Sequence, residues 1–129
     1  MVKVKAVLFD LYGTLVYLEK LITEEEISEY LFSKGYEVSP QQFRAAWTFV
    51  AFIDCPKYGY KNYRSFLSRI FCRLKVKVDK ETLDAITKIF ENSPYQLYPD
   101  ATEAVVQAKK HGFKTAIVTT IAHFKFKKA

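Results

Sequence analysis

The spacing of apolar residues changes along the chain, and each spacing predicts a different element. Residues 4–9 are a short, almost wholly apolar run that ends at Asp10, which is typical of a strand buried on both faces in a parallel sheet. Residues 113–118 are a second run of this kind and end at Thr119. The chain therefore predicts two buried strands, each followed at once by a polar side chain.

Between these runs the apolar residues recur at helical spacing. Thr23 and Ser39 stand where N-caps belong and open the first two predicted helices. Pro56 is expected beyond the end of the second helix, because proline interrupts the hydrogen-bond ladder. Two further helices are predicted over residues 62–74 and 79–94.

The order strand, helical block, helix, strand predicts an α/β fold. Residues 1–15 and 95–129 are assigned to an α/β core with parallel strands, and residues 16–94 to an all-helical insertion. Asp100 is expected to cap the helix that precedes the second strand. A chain of 129 residues is long enough for one small domain that carries such an insertion.

Composition and charge narrow the class of protein. The net charge of +6 is spread along the chain, which favours a solvated surface over nucleic-acid binding. Residues 57–66 interleave basic and aromatic side chains, and a non-catalytic, self-associating binding module is therefore kept as the rival class. The chain has no signal-peptide pattern and no apolar run of membrane length, so we expect a soluble cytoplasmic protein. Cys55 and Cys72 are expected to fill the core, or to pair if two helices bring them together.

The residues at the strand ends carry the candidate chemistry. Ligands of open parallel sheets bind outside the carboxyl ends of the strands, so Asp10 and Thr119 face one site if their strands are neighbours. An aspartate there can act as a nucleophile. Gly13 allows a sharp turn whose N–H groups can point at an anion, and Thr14 can hydrogen-bond Asp10. The alternative is that Asp10 is a turn residue and both threonines fill strand ends.

Two stretches together resemble a known family. FDLYGTL, at residues 9–15, resembles the first motif of the haloacid dehalogenase superfamily, and residues 98–120 resemble the stretch that leads into its second motif. The helical block matches the helical cap that many members insert between them. The resemblance implies a partial Rossmann-like core, a small anionic substrate, Asp10 as the nucleophile and Thr119 as the hydroxyl residue of the second motif.

Tyr12 separates the branches of that superfamily. Phosphatases usually have a second aspartate at this position, which protonates the leaving group, whereas an Asp-x-Tyr-Gly-Thr pattern resembles the 2-haloacid dehalogenases. Halide needs no proton, and that branch needs no cofactor. In the alternative, a phosphatase of the same superfamily, Asp10 would be a ligand of Mg²⁺. In either case the resemblance places Leu11, Tyr12 and Gly13 beside the substrate.

Because of two departures from the family pattern, the identity of the leaving group stays undecided. The dehalogenases place an arginine after the tryptophan that corresponds to Trp47, and this chain has Thr48 there. Arg44 lies one helical turn from Thr48 and could replace that arginine. The usual asparagine after the second-motif hydroxyl is Thr120 here, which removes one amide donor from the substrate site.

The resemblance also implies two later motifs, a lysine and an acidic pair, for which this chain has no counterpart. The lysines at residues 125–128 follow Thr120 too closely to be the third-motif lysine. We therefore expect a truncated member that is nearly inactive as given. Its two strands lack neighbours, so we also expect a homo-oligomer.

Overall fold

A computed structural model of the protein describes residues 3–119. Four strands and six helices follow one another in it: β1 (Ala6–Phe9), β2 (Val16–Leu18), α1 (Glu24–Ser33), α2 (Pro40–Phe49), a π-helical stretch (Val50–Asp54), α3 (Cys55–Tyr58), α4 (Tyr63–Leu74), α5 (Lys80–Glu91), β3 (Tyr95–Leu97), α6 (Ala101–Lys110) and β4 (Lys114–Ile117). The chain divides into an α/β unit, Met1–Lys20 with Pro94–Thr119, and a helical unit, Leu21–Ser93. The mixture of a parallel strand pair with helices confirms the α/β class.

The two apolar runs form neighbouring strands of one sheet. β1 and β4 pair in parallel, with Ala6 opposite Lys114 and Phe9 opposite Ile117. The N–H of Val118 continues the ladder by donating to the Phe9 carbonyl oxygen at 2.9 Å. The carboxyl ends of both strands therefore lie at the same edge of the sheet, as the sequence required for a shared site.

The expectation that both strands are buried on both faces is wrong for this chain. Leu8 is 65% exposed, and Ile117 and Val118 are each 56% exposed, whereas Val7 and Phe9 are half-buried. In the part of the α/β unit that the structure describes, α6 is the sole helix, and it packs against β4. One helix cannot cover both faces of the strand pair, so apolar side chains remain exposed to solvent.

The α/β unit contains a second strand pair, which the sequence did not predict. β2 and β3 are antiparallel, with Val16 opposite Leu97 and Leu18 opposite Tyr95. The Glu19 N–H extends this ribbon by donating to the Pro94 carbonyl oxygen at 3.1 Å. The helical insertion therefore begins after residue 20 and not at residue 16, because residues 16–18 are paired in a strand.

Apolar residues from α1, α2, the π-helical stretch, α4 and α5, together with Val38 of the loop between α1 and α2, form the core of the helical unit. The most buried members are Ile27, Leu31, Val38, Val50, Leu67, Ile70, Phe71 and Ile86. The predicted N-caps Thr23 and Ser39 both accept a hydrogen bond from a backbone N–H, and Ser39 forms a full capping box with Gln42. These caps fix where each helix begins and so which face turns inward.

Pro56 does not lie beyond a helix end, contrary to prediction. α2 runs directly into the π-helical stretch Val50–Asp54 and then into α3, which contains Pro56. The Cys55 N–H donates to the Val50 carbonyl oxygen, five residues back. The wide π-helical turn accommodates Pro56 in the turn that follows it. Proline has no backbone N–H and its ring clashes with the preceding turn of a regular α-helix, and the change in helix geometry relieves both restrictions.

Three further predictions concern the cap of α6, the two cysteines and membrane-spanning helices. Asp100 precedes α6 but its side chain makes no cap hydrogen bond, since its backbone is already helical at φ −94° and ψ −4°. Cys55 and Cys72 are free thiols, and Cys72 is exposed instead of filling the core. Within residues 3–119, none of the helices combines the length and apolar character that a membrane span requires.

Candidate functional site

The candidate site is the edge of the sheet where β1 and β4 end. Asp10 directly follows β1 and its side chain is exposed, while Thr119 lies two residues after β4 and is half-buried. Since the strands are parallel and adjacent, both residues stand at the carboxyl edge. A carboxylate is thus presented at a strand end and is open to solvent.

Thr14 holds the Asp10 carboxylate from within the same loop. Its Oγ1 hydroxyl donates a hydrogen bond to Asp10 Oδ2 over 3.1 Å. The sequence predicted this hydrogen bond, and the structure contains it. A donor to one carboxylate oxygen restricts the rotamer of Asp10.

The loop after Asp10 is held together by its own backbone. The Leu11 carbonyl oxygen accepts from the N–H groups of Thr14, Leu15 and Val16 at 3.2, 2.8 and 3.1 Å. Gly13 has φ +76°, a conformation that residues with a Cβ rarely adopt. The side chain of Leu11 is buried. This tight turn aims Thr14 back at Asp10.

The expected anion-binding nest does not form at Gly13 and Thr14. The Gly13 N–H donates to the Val16 carbonyl oxygen at 2.8 Å, and the Thr14 N–H donates to Leu11. Both donors are used to close the turn, so they do not point at a ligand. Any anion bound here must find its donors elsewhere.

Tyr12 packs against a tyrosine that the sequence analysis missed. The rings of Tyr12 and Tyr95 have centroids 5.3 Å apart and planes inclined at 56°. Burial, and secondly the neighbouring Tyr95, raises the pKa of the Tyr12 phenol above its ordinary value of 10.0. Tyr12 therefore keeps its proton at neutral pH. The alternation in Tyr-Gln-Leu after Pro94 was the available sign of a strand that carries Tyr95.

The other predicted substrate residues belong to the helical unit or lie outside the described residues. Trp47 is half-buried in an aromatic cluster, with ring centroids 4.7 Å from Phe66 and 5.0 Å from Phe90. Arg44 makes a forked ion pair with Glu24, at 3.0 Å from Nε and 3.2 Å from Nη2. Thr120 lies outside residues 3–119. The substrate roles of Arg44, Trp47 and Thr120 stay predictions.

Asp10 is the carboxylate that would hold a magnesium ion if the protein were a phosphatase. Mg²⁺ is usually held by one or two carboxylates together with water or substrate oxygens. Across residues 3–119, no three side chains of Asp, Glu, His or Cys come together as metal ligands. Asp10 is the carboxylate at the strand edge, and its Oδ2 already accepts from Thr14.

An apolar pocket of about 230 Å³ occupies another part of the α/β unit. It is lined by residues of the β2–β3 ribbon, α6 and the loop that precedes β2: Leu15, Leu97, Ala101, Thr102, Val105 and Val106. Its lining contains no charged side chain and neither Asp10 nor Thr119. It therefore suits packing better than it suits an anionic substrate.

Comparison with known proteins was made for the family and for the fold. The model of the haloacid dehalogenase-like hydrolase family matches residues 4–127. A comparison with curated proteins found no match. One similar solved structure is the L-2-haloacid dehalogenase from Xanthobacter autotrophicus, with 22% identity and a TM-score of 0.43, over 93% of this chain and 48% of that chain. Another is described as a predicted phosphoglycolate phosphatase from Haemophilus somnus 129PT, with 18% identity and a TM-score of 0.43, over 92% and 52%. The chain spans about half the length of these structures.

Proposed function

The chain belongs to the haloacid dehalogenase-like hydrolases, and from that premise we propose that Asp10 is the nucleophile of a covalent hydrolysis whose substrate is a 2-haloacid. The proposal concerns the whole protein, since this chain spans about half the length of similar solved structures. The alternative within the family is a magnesium-dependent phosphatase of small molecules. A non-catalytic, self-associating binding module is the alternative of another class.

The observation that carries the proposal is the placement of Asp10. It combines an exposed carboxylate at the carboxyl end of a parallel strand with a hydrogen bond from Thr14 to Oδ2. A turn residue would need neither the parallel partner nor a hydroxyl directed at its side chain. A nucleophile must be accessible and fixed in one orientation, and the exposed, hydrogen-bonded carboxylate of Asp10 has both properties.

The chemistry proceeds in two displacements. Asp10 Oδ1 attacks the C2 carbon of the haloacid, and the carbon–halogen bond breaks as halide leaves with the bonding electron pair. The product of this step is an ester between Asp10 and the substrate. Water then attacks the carboxyl carbon of Asp10 in that ester. As the acyl–oxygen bond breaks, one proton of this water passes to the departing alkoxide, which leaves as the 2-hydroxy acid, and the other passes to solvent, which restores the Asp10 carboxylate.

Tyr12 supports halide as the leaving group. An alkoxide leaving group needs a proton, and a phenol whose pKa is raised by burial cannot supply it readily at neutral pH. Halide leaves without one. The half-buried Tyr12 ring instead offers an apolar surface two residues from the nucleophile, which suits the alkyl part of a small haloacid.

Other groups are needed for the substrate carboxylate. Thr119, at the end of β4, stands on the same strand edge as Asp10 and carries a hydroxyl. We propose that Thr119 and Thr120 bind the substrate carboxylate. Gly13 provides the backbone turn that follows Asp10. Arg44 and Trp47 of the helical unit are the candidates for receiving halide.

The test is covalent labelling of the whole protein by 2-chloropropionate, read by intact mass and peptide mapping. We expect an ester at Asp10, and none in Asp10→Asn. Asp100→Asn is the matched control, because Asp100 is an exposed aspartate without a side-chain cap bond. Labelling that persists in Asp10→Asn would refute the nucleophile assignment.

A substrate panel separates the alternatives. Halide release from 2-haloacids is expected without Mg²⁺. Magnesium-dependent phosphate release from alkyl phosphates, with no halide release, would favour the phosphatase. Binding of single-stranded DNA that weakens steeply with salt, together with no turnover of either substrate class, would favour the binding module.

A further inference from the structure

The α/β unit contains a tyrosine that the proposed chemistry leaves without a role. Tyr95 is the first residue of β3, and its ring lies 5.3 Å from that of Tyr12, with the two planes inclined at 56°. Both side chains are half-buried. The rings thus form a tilted aromatic contact, an arrangement favoured by the charge distribution of the two π systems.

The backbone on both sides fixes where Tyr95 stands. Tyr95 is opposite Leu18 in the β2–β3 ribbon. Beyond β3, the Tyr98 N–H donates to the Leu15 carbonyl oxygen at 2.9 Å. Tyr12 itself forms a bridge with Val16, the first residue of β2. The nucleophile loop and β3 are therefore tied to the same strand.

We propose that Tyr95 is a positioning residue, whose ring holds the ring of Tyr12 beside the nucleophile Asp10. Tyr12 lies in a short loop, and a tyrosine there has several rotamers available. Contact with Tyr95 selects one of them. The selected ring forms an apolar wall near Asp10, so Tyr95 acts on the substrate site through Tyr12 and touches no reacting atom.

This inference rests on the proposed function for its consequence, since the wall matters only if Asp10 reacts with a substrate. Its physical content concerns two rings in the ligand-free chain. It can therefore be tested without turnover, and a failed dehalogenation assay leaves the test intact.

The test is ¹⁹F NMR on the chain grown with 3-fluorotyrosine, whose fluorine makes the phenol more acidic and lowers the pH range over which it titrates. The Tyr12 signal is identified among the nine tyrosines by its loss in Tyr12→Phe. Tyr95→Ile removes the ring but retains a residue suited to a strand. We expect the midpoint of Tyr12 ionisation to fall by about 1 pH unit in Tyr95→Ile, because Tyr12 becomes more exposed.

The controls separate positioning from general loss of structure. Tyr95→Phe keeps the ring and should keep the Tyr12 midpoint close to that of the unmodified chain. Tyr17→Ile disrupts a different aromatic contact, that of Tyr17 in β2 with Tyr98 at 4.9 Å between ring centroids, and should leave Tyr12 unchanged. A Tyr12 midpoint that is the same in Tyr95→Ile and in the unmodified chain would overturn the proposal. If Tyr95→Ile does not fold, the unmodified chain decides: nuclear Overhauser contacts between the two rings support the proposal, and their absence overturns it.

Discussion

The hydroxyl of Thr14 donates to Asp10 Oδ2 at 3.1 Å across a loop of three intervening residues. The contact is local and exposed, so its contribution to overall stability is small. Its value lies in orientation, because a carboxylate fixed in one rotamer is already placed for attack. The two residues behave as one unit in the proposed chemistry.

Thr14→Val should therefore slow the labelling of Asp10 by 2-chloropropionate by about tenfold or more, as expected when a hydrogen bond to a charged group is lost. Thr14→Ser keeps the hydroxyl and should stay within about threefold of the unmodified chain. The measurement is the initial rate of mass gain. Equal rates for the valine and serine variants would show that Thr14 does not orient Asp10.

Gly13→Ala should destabilise the chain by about 1 kcal/mol, because φ of +76° is unfavourable for a residue with a Cβ. An added Cβ would meet no atom within 4 Å, so backbone strain and not collision is the cause. Gly13→Asn should lose less, since asparagine tolerates this conformation better. Urea denaturation checks both, and an alanine variant as stable as the unmodified chain would contradict the reasoning.

Arg69→Met should lower the urea midpoint more than Arg64→Met. Arg69 Nε pairs at 3.2 Å with Asp54, whose side chain is 8% exposed, and losing it leaves a buried carboxylate without its partner. The control pair, Arg64 with Asp84 at 3.4 Å, is 41% exposed on both sides and should contribute little. Replacing Asp54 by Asn in the Arg69→Met background should recover part of the loss. Similar midpoints for the two single variants would refute this.

Asp79 should make stability depend on acidity. Hydrogen bonds from the Thr82 N–H and then from the Tyr36 hydroxyl lower the pKa of Asp79 below its ordinary value of 3.8. A lowered folded-state pKa gives stability that is present above pH 3.8 and is lost as the pH falls through the folded-state value. Asp79→Asn still caps α5 but does not titrate there. Between about pH 5 and pH 3, the free energy of unfolding of the unmodified chain, measured by urea denaturation, should therefore fall relative to that of Asp79→Asn. A constant difference would contradict the prediction.

Self-association is expected through the exposed sheet. In the described residues β1 and β4 each pair with one strand, and Leu8 and Val118 remain 65% and 56% exposed. A second copy can pair with a strand edge and cover these side chains. Light scattering at low micromolar concentration should show a dimer or larger species, and Leu8→Lys should reduce it. A monomeric unmodified chain would rule out this partner.

The sequence predicted the long elements and the nucleophile strand because their signals are local. The helical spacing of apolar residues in 62–74 and the N-caps Thr23 and Ser39 are each signals that lie within a single helix. What it missed depends on pairing across distance. β2 and β3 have three residues each, so the alternation in each is a weak signal, and the two strands that pair are separated in sequence by the whole helical unit.

The same distinction applies to the site. The hydrogen bond from Thr14 to Asp10 spans one turn and could be predicted. Contact of Tyr12 with Tyr95 could not, because it depends on the β2–β3 register. The nest expected at Gly13 failed for another reason. A glycine permits the turn, but it does not determine whether the freed N–H groups face a ligand or a carbonyl oxygen of the same loop.

The hydrogen bond between Glu19 and Pro94 brings the two ends of the helical unit side by side, at 3.1 Å from N to O. For chain entropy, the helical unit counts as one long loop whose ends are held together by the β2–β3 ribbon. The entropy of closing such a loop grows only with the logarithm of its length. Inserted helices can therefore lengthen or shorten at little thermodynamic cost to the β2–β3 ribbon on which the loop closes.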